Sequence, residues 1–398
     1  MTELLLPTLV LLCMGAVLYS YLLYPLVLFV VAALSQAWRD AAFVFRKSDR
    51  RRGRGQTDAD LPAVAIVISA FNEERHIVQR IENILTLDYP ADRLRAYIGS
   101  DGSRDRTAEL MAQFNDPRLC LLPFEQNRGK ANVLNDLVSR VSEPIVAFSD
   151  ANTFFQPDAL RRLVAGFADP QVGAVTGELR LMGSGGDNQD SLYWRIEQFL
   201  KFFEARIGAL LGANGAIYAI RRELWKPLEP DTICDDFCVA MNVSAAGQRV
   251  LYEPRAWAEE DTPERIGEEY RRRVRIGIGN FQALIRHPEY LLRTSKATAF
   301  AYVSHKVLRW TAPHLLILAL AGSFVLAIDS PFWMLLTQAQ ALSYLGAAMA
   351  LNLTNRGVKL PKLVRLAAFL FALNWAFLVA SIRYVRGSYS GAWGRSSR

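Results

Sequence analysis

From Leu4 to Leu34 the chain carries no charged residue. This exceeds the roughly 20 apolar residues that a helix needs to cross the hydrocarbon core of a bilayer, so it predicts a transmembrane helix. A cleaved leader fits less well: the run lacks a basic start, is long for such an apolar core, and holds Tyr19, Tyr21, Tyr24 and Pro25. Directly after it come Arg39, Arg46, Lys47, Arg50, Arg51, Arg52 and Arg54, which the positive-inside rule places in the cytoplasm.

Three further apolar stretches of spanning length, roughly Trp310 to Ile328, Pro331 to Leu353 and Leu363 to Val385, predict helices at the other end. Arg356, Lys359, Lys362 and Arg365 fit a cytoplasmic loop, and the turn at Asp329 fits the outside. One N-terminal and three C-terminal spans put the tail with Arg386, Arg395 and Arg398 outside, against the rule, unless one segment is interfacial or re-entrant. The expected organisation is residues 1–37 as the N-terminal span, 38–60 as a basic linker, 61–290 as one domain, and 291–398 as an interfacial segment with C-terminal spans. A multi-pass protein of the cytoplasmic membrane, with its domain inside, is the consequence.

Basic residues outnumber acidic ones by 46 to 39, a net charge of +7. The excess clusters beside the apolar runs, which favours anionic lipid over nucleic acid as its partner. Cys13, Cys120, Cys234 and Cys238 include one Cys-x-x-x-Cys pair without a second pair or a histidine cluster, so they read as reduced and structural rather than as a zinc site.

Between Leu61 and about Pro288, short Val/Ile/Ala-rich runs alternate with helical patterns, the signature of β-α-β units. Strands are predicted at Ala63 to Ser69, Arg95 to Ser100, Leu119 to Leu122, Pro144 to Phe148 and Val172 to Gly177, with a first helix from near Asn72 to just before the Asp88-Tyr89-Pro90 turn. Ligands of open parallel sheets gather beyond the carboxyl ends of the strands. Four such ends carry polar clusters: Ser69-Ala70-Phe71-Asn72-Glu73-Glu74, Ser100-Asp101-Gly102-Ser103-Arg104-Asp105, Asn127-Arg128-Gly129-Lys130 and Ser149-Asp150-Ala151-Asn152. Each alone also reads as a turn, a cap or a solvated surface; their recurrence at one sheet edge points to a binding site.

These clusters, followed by GANGAIYAIRRELW and ICDDF, resemble the family 2 glycosyltransferases, the group that includes membrane-bound cellulose, chitin, hyaluronan and poly-N-acetylglucosamine synthases. The resemblance covers the block from Leu61 to about Pro288 in the family's order. It implies an α/β domain of the GT-A fold, a Rossmann-like mixed sheet flanked by helices, held between one N-terminal and about three C-terminal transmembrane helices. It further implies an inverting transfer of a sugar from a nucleotide-sugar, a UDP-sugar first, to a growing glycan or lipid-linked acceptor in cell-surface or extracellular polysaccharide synthesis.

By the same resemblance Asn72, Glu73 and Asp101 line the nucleotide pocket, with Asp101 accepting from the base, and Lys130 meets a phosphate or the nucleotide carbonyl. Asp150 opens what the family writes as Asp-x-Asp, the holder of Mg2+ or Mn2+, and here the second aspartate is Asn152, which costs the metal site a full charge. Cys234-Asp235-Asp236 aligns with Thr-Glu-Asp and makes Asp236 the general base with Asp235 beside it, a position that also suits a helix cap. Asn214 and Gly215, with Arg221 and Arg222 following, match the acceptor region.

The segment Tyr270 to Gly277 stands where processive synthases carry Gln-x-x-Arg-Trp: Arg273 takes the place of the diphosphate-facing arginine, Tyr270 replaces Gln, and Val274 replaces the tryptophan on which polymer stacks. Four arginines in five positions also suit lipid headgroups. Single addition and processive extension both stay open. Four spans make a small conduit, so polymer export would call for a homo-oligomer or a secretion partner. A membrane transporter or scaffold with a non-catalytic nucleotide-sugar domain is the alternative of another class. An ATP-driven pump is disfavoured, since no Gly-x-x-x-x-Gly-Lys-Ser/Thr sequence occurs.

Overall fold

A computed structural model describes residues 2–46, 58–182, 191–261 and 266–390. The basic cluster from Lys47 to Arg54 lies outside the described residues. The chain opens with α1 (Thr2–Leu18), a π-helical turn (Tyr19–Leu23) and α2 (Tyr24–Arg46). The domain follows as β1 (Val64–Ala70), α3 (Ile77–Leu85), β2 (Leu94–Asp101), α4 (Thr107–Met111), β3 (Leu119–Phe124), α5 (Lys130–Val138), β4 (Ile145–Asp150), β5 (Thr153–Phe155) and α6 (Ala159–Ala165). It continues through β6 (Val172–Met182), α7 (Ser191–Arg206), β7 (Tyr218–Arg221), α8 (Asp235–Ala245), β8 (Arg249–Asp261) and α9 (Ile266–Arg286). The C-terminal part holds α10 (Glu289–Leu292), α11 (Lys296–Ala301), a second π-helical turn (Tyr302–Val307), α12 (Leu308–Leu326), α13 (Pro331–Asn355) and α14 (Lys362–Val385).

The strands form one eight-stranded mixed sheet in the order β3-β2-β1-β4-β7-β6-β8-β5. β3, β2, β1 and β4 are parallel, whereas β7 runs antiparallel to both β4 and β6. Strand β1 is buried along its whole length, which is why it reads as an unbroken apolar run rather than an alternation. Ala65 and Val67 join Val133, Leu134 and Leu137 of α5 on one face; Val64, Ile66 and Ile68 meet Ile77 and Ile81 of α3 and Leu160 and Leu163 of α6 on the other. The first of these cores runs on through Val239 and Met241 of α8 and Ile278 of α9 to Trp310 and Phe377 of the apolar helices, so domain and membrane part share one core.

All five strands expected from the sequence are present, their first residues within one of the expected starts; β5, β7 and β8 were not legible. The first helix begins at Ile77, not near Asn72, because residues 72–74 are spent on the neighbouring loop. Asn72 takes a left-handed φ of 56°, and the amides of Asn72, Glu73 and Glu74 donate to Ser103 Oγ (3.1 Å), Thr107 Oγ1 (2.8 Å) and Asp105 Oδ2 (3.1 Å).

Among the described residues, four helical stretches are long and apolar enough to cross a membrane: Leu4–Ala42, Lys296–Leu326, Pro331–Asn355 and Lys362–Val385. The second starts well before Trp310, because Ser295 Oγ caps it by accepting from the Thr298 amide at 3.0 Å. The two π-helical turns are pinned together: Tyr19 Oη lies 3.0 Å from Ser304 Oγ, and Ser20 Oγ donates to the Ser304 carbonyl at 2.8 Å. Beside them His305 is wedged between Glu204 (2.7 Å) and Glu197 (3.2 Å), and Glu197 also takes Lys306 (3.4 Å) and Arg309 (2.6 Å). The basic residues at the entry of the first C-terminal span are thus paired within the protein, and they clamp α7 to the membrane helices.

Candidate active site

The strand-end clusters do converge. Gly102, at φ 64°, makes the turn after β2 so close to the next loop that a Cβ there would sit 2.5 Å from the Asn127 nitrogen. Asp101 is fully buried and its oxygens accept from the amides of Arg128 (2.8 Å) and Gly129 (2.9 Å). In this arrangement Asp101 fixes the loop that carries Lys130, a task the sequence did not suggest. Asn72 Oδ1 accepts from the Arg104 amide at 2.9 Å and Glu73 Oε2 meets His76 Nδ1 at 2.9 Å. Asn72, Glu73, His76, Arg104 and Asp105 line a shallow cleft beside them.

Lys130 opens α5 and reaches across the sheet end. Its Nζ donates to Asp150 Oδ1 at 2.9 Å and lies 3.1 Å from Asp235 Oδ2, an ion pair off the hydrogen-bond line. Burial works against the charge on Lys130, but Asp150 and then Asp235 outweigh it and hold the ammonium above the usual lysine range.

Asp235 and Asp236 form the first turn of α8, where the helix N-terminus favours carboxylates. Asp236 Oδ1 accepts from its neighbour's amide, Phe237, at 2.8 Å, and Oδ2 accepts from the Gly215 amide at 3.0 Å. A side chain at Gly215 would bring Cβ to 3.1 Å from that same oxygen, so the glycine is what allows this approach. Burial, then the charge of Asp235, pushes the Asp236 carboxyl up to about 6, against Lys130 and the Phe237 amide, which pull it down. The result is a carboxylate that is ionised at neutral pH and basic enough to accept a proton.

Asn214 sits at the same place, its amide donating to Thr176 Oγ1 of β6 at 2.8 Å, while Ser149 of β4 donates to the Ala216 carbonyl at 2.9 Å. Arg221 lies elsewhere: its guanidinium is spent on the carbonyls of Val172 (2.8 Å), Phe167 (2.9 Å) and Asp169 (3.2 Å). Arg273 is carried to the α14 side, with its guanidinium 4.5 Å over the Phe369 ring, and Val274 is buried in the core. On α9 the face toward the site is instead that of Gly279, where a Cβ would meet Cys234 Sγ at 2.5 Å. All four cysteines are free.

Sequence reasoning missed two cations. Arg80 of α3 is fully buried, 4.6 Å over the Phe155 ring, and burial pulls it down to about 9 against the attraction of Asp150. The signal was there: Arg80 falls among Ile77, Ile81 and Ile84, at the buried phase of an amphipathic helix. Lys201 of α7 donates to the Gly177 carbonyl at 3.3 Å and lies 4.5 Å from the Tyr252 ring centre; burial pulls it down to about 8, against Glu178 and Asp236.

Among the described residues no three His, Cys, Asp or Glu side chains converge on one point. A Mg2+-type ion does not require that, since it is commonly held by one or two carboxylates with the phosphates of its ligand. Asp150 fits such a role: its carboxylate is part exposed, and the Lys130 ammonium already stands against it as a cation. Asn152 is buried, with its amide nitrogen donating to Glu260 Oε1 at 2.8 Å.

Residues 65–226 match the sequence model of Glycosyl transferase family 2. Poly-beta-1,6-N-acetyl-D-glucosamine synthase of Staphylococcus epidermidis is 27% identical over 252 residues, which is 61% of this chain and 61% of that one. The synthase of the same name from Staphylococcus aureus strain COL is 26% identical over 257 residues, 63% of this chain and 62% of that one. The chain thus spans less than two thirds of the length of these curated relatives. Among solved structures, a mannosyltransferase from Pyrobaculum calidifontis in complex with GDP-Man and Mn2+ has the same fold, with a TM-score of 0.69 at 22% identity over 97% of this chain and 100% of that one. The mixed sheet with its flanking helices is therefore a GT-A fold. Over residues 65–226 the chain is similar to glycosyl transferase family 2.

Proposed function

We propose that the chain is an inverting glycosyltransferase that moves a sugar from a nucleotide-sugar, a UDP-sugar first, to a growing glycan or lipid-linked acceptor in cell-surface or extracellular polysaccharide synthesis. The observation that carries this is the Asp236 carboxylate, held by two backbone amides and raised to about 6 beside the Lys130–Asp150 pair. Asp236 takes the proton of the acceptor hydroxyl while that oxygen bonds to the anomeric carbon, and the bond from that carbon to the diphosphate breaks on the opposite face. Asp235 keeps Asp236 basic, and Lys130 meets the phosphates. Asn72, Glu73 and Asp101 shape the nucleotide side, and Asn214 with Gly215 the acceptor side. Asp150 would hold a divalent ion, Mg2+ or Mn2+, which when bound would offset the negative charge of a diphosphate leaving group. Asn152 contributes at most its amide oxygen there, its nitrogen being tied to Glu260.

The polymer named in the curated relatives and the GDP-Man and Mn2+ named in the structural neighbour support the reaction class and the metal. The four apolar helices support a bilayer as the chain's environment, with the domain on the cytoplasmic face and the enzyme in the cytoplasmic membrane. Purified membranes incubated with UDP- and GDP-sugars and Mn2+ or Mg2+ test the proposal: release of nucleoside diphosphate together with a sized glycan product is expected. Release that persists in full in Asp236→Asn would remove the base from the account.

A further inference from the structure

Asp150 has an unusual electrical setting. On one side Lys130 bridges it to Asp235, tying the end of β4 to the first turn of α8 at 2.9 and 3.1 Å. The lysine cannot drift far, because the loop before it is fixed by Asp101 through the amides of Arg128 and Gly129. Arg80 of α3 is fully buried and feels the attraction of Asp150; its Nη1 donates to Asn83 Oδ1 at 2.5 Å, while Nε and Nη2 have no hydrogen-bond partner among the described residues. The companion position that would add negative charge is Asn152, whose amide is turned to Glu260. Asp150 is therefore paired with one cation and within the electrostatic reach of a second, with no second carboxylate in its own turn. A dication approaching it has to displace an ammonium and remain near two like charges, both in surroundings of low dielectric where such repulsion is strong. A nucleoside diphosphate changes this balance, since its oxygens offer the ammonium a richer partner and bring ligands and negative charge to the metal.

We propose that Lys130 is a built-in competitor of the divalent ion: its ammonium neutralises Asp150 and Asp235 until a diphosphate draws it away, so that metal enters with the nucleotide and not before it. This rests on the function proposed above, and it assigns to Lys130 a control of binding order beyond contact with the phosphates.

The test is a titration of the full chain in lipid nanodiscs with Mn2+, reading the six-line electron paramagnetic resonance signal of the free ion, alone and with UDP or GDP, after subtraction of protein-free chelation. Wild type is expected to bind Mn2+ at least tenfold more tightly with a nucleoside diphosphate than without. Lys130→Met is expected to bind Mn2+ alone at least tenfold more tightly than wild type, and Asp150→Asn in the same background to abolish that gain. Lys130→Gln is made in parallel in case the methionine variant does not fold. Equal Mn2+ affinity of wild type with and without a bound nucleotide overturns the inference, as does an unchanged Mn2+-only affinity in a folded Lys130 variant. If calorimetry shows that neither UDP nor GDP binds, the function proposed above fails, and the Mn2+-only comparison of wild type with the Lys130 variants still decides this inference.

Discussion

Asp236 receives two backbone N–H groups and faces Asp235, so its environment both fixes it and keeps it basic. With the carboxyl at about 6, kcat/KM for transfer is expected to be flat above pH 7 and to fall tenfold per unit below about pH 6; a profile flat down to pH 5 would contradict the assignment. The same group bears on stability. Its pKa is raised above the unfolded value of about 3.9, so its protonated form favours the fold at low pH, and that contribution is lost as pH rises through 6. Asp236→Asn is therefore expected to stabilise the protein at pH 7.5 by up to about 2 kcal/mol, with the gain vanishing near pH 4, as read by thermal unfolding in detergent.

At the scale of elements, the site is where α5, α8 and the end of β4 are brought together, and α9 is the element that presses α8 into place. Gly279 makes this approach possible, since a Cβ there would lie 2.5 Å from Cys234 Sγ and 3.0 Å from the Cys234 nitrogen. Gly279→Val is expected to displace the first turn of α8 and lower turnover at least tenfold, with nucleotide affinity changed far less, as checked by steady-state kinetics beside nucleotide titration. An equal loss of both would point to general misfolding. Strands β1 to β4 and their polar ends were legible because each is an apolar run closed by turn chemistry. β7 and β8 were not, since Tyr218–Arg221 is only four residues long and Arg249–Asp261 mixes charged and apolar residues. The early start expected for α3 failed because Asn72 to Glu74 satisfy their amides on a loop some thirty residues ahead, a tertiary fact that no local signal carries. In the same way the aspartates were visible as motif letters, whereas Arg80 and Lys201 became part of the site only through packing.

The whole molecule is one α/β domain joined to four helical stretches long and apolar enough to cross a membrane, by a shared core and by the Glu197–Glu204–His305–Arg309 clamp. In the orientation proposed from the basic flanks, Lys359→Cys is expected to react with an impermeant maleimide in inside-out vesicles and not in right-side-out ones. The reverse would turn the domain to the other face.

The most direct measurement is release of nucleoside diphosphate from a panel of UDP- and GDP-sugars by purified full-length protein, run beside Asp236→Asn, with the product sized. The account predicts release from at least one donor, a sugar-bearing product, and a fall of about 10²- to 10⁴-fold in the variant. No release from any donor, or equal release by the variant, would contradict it.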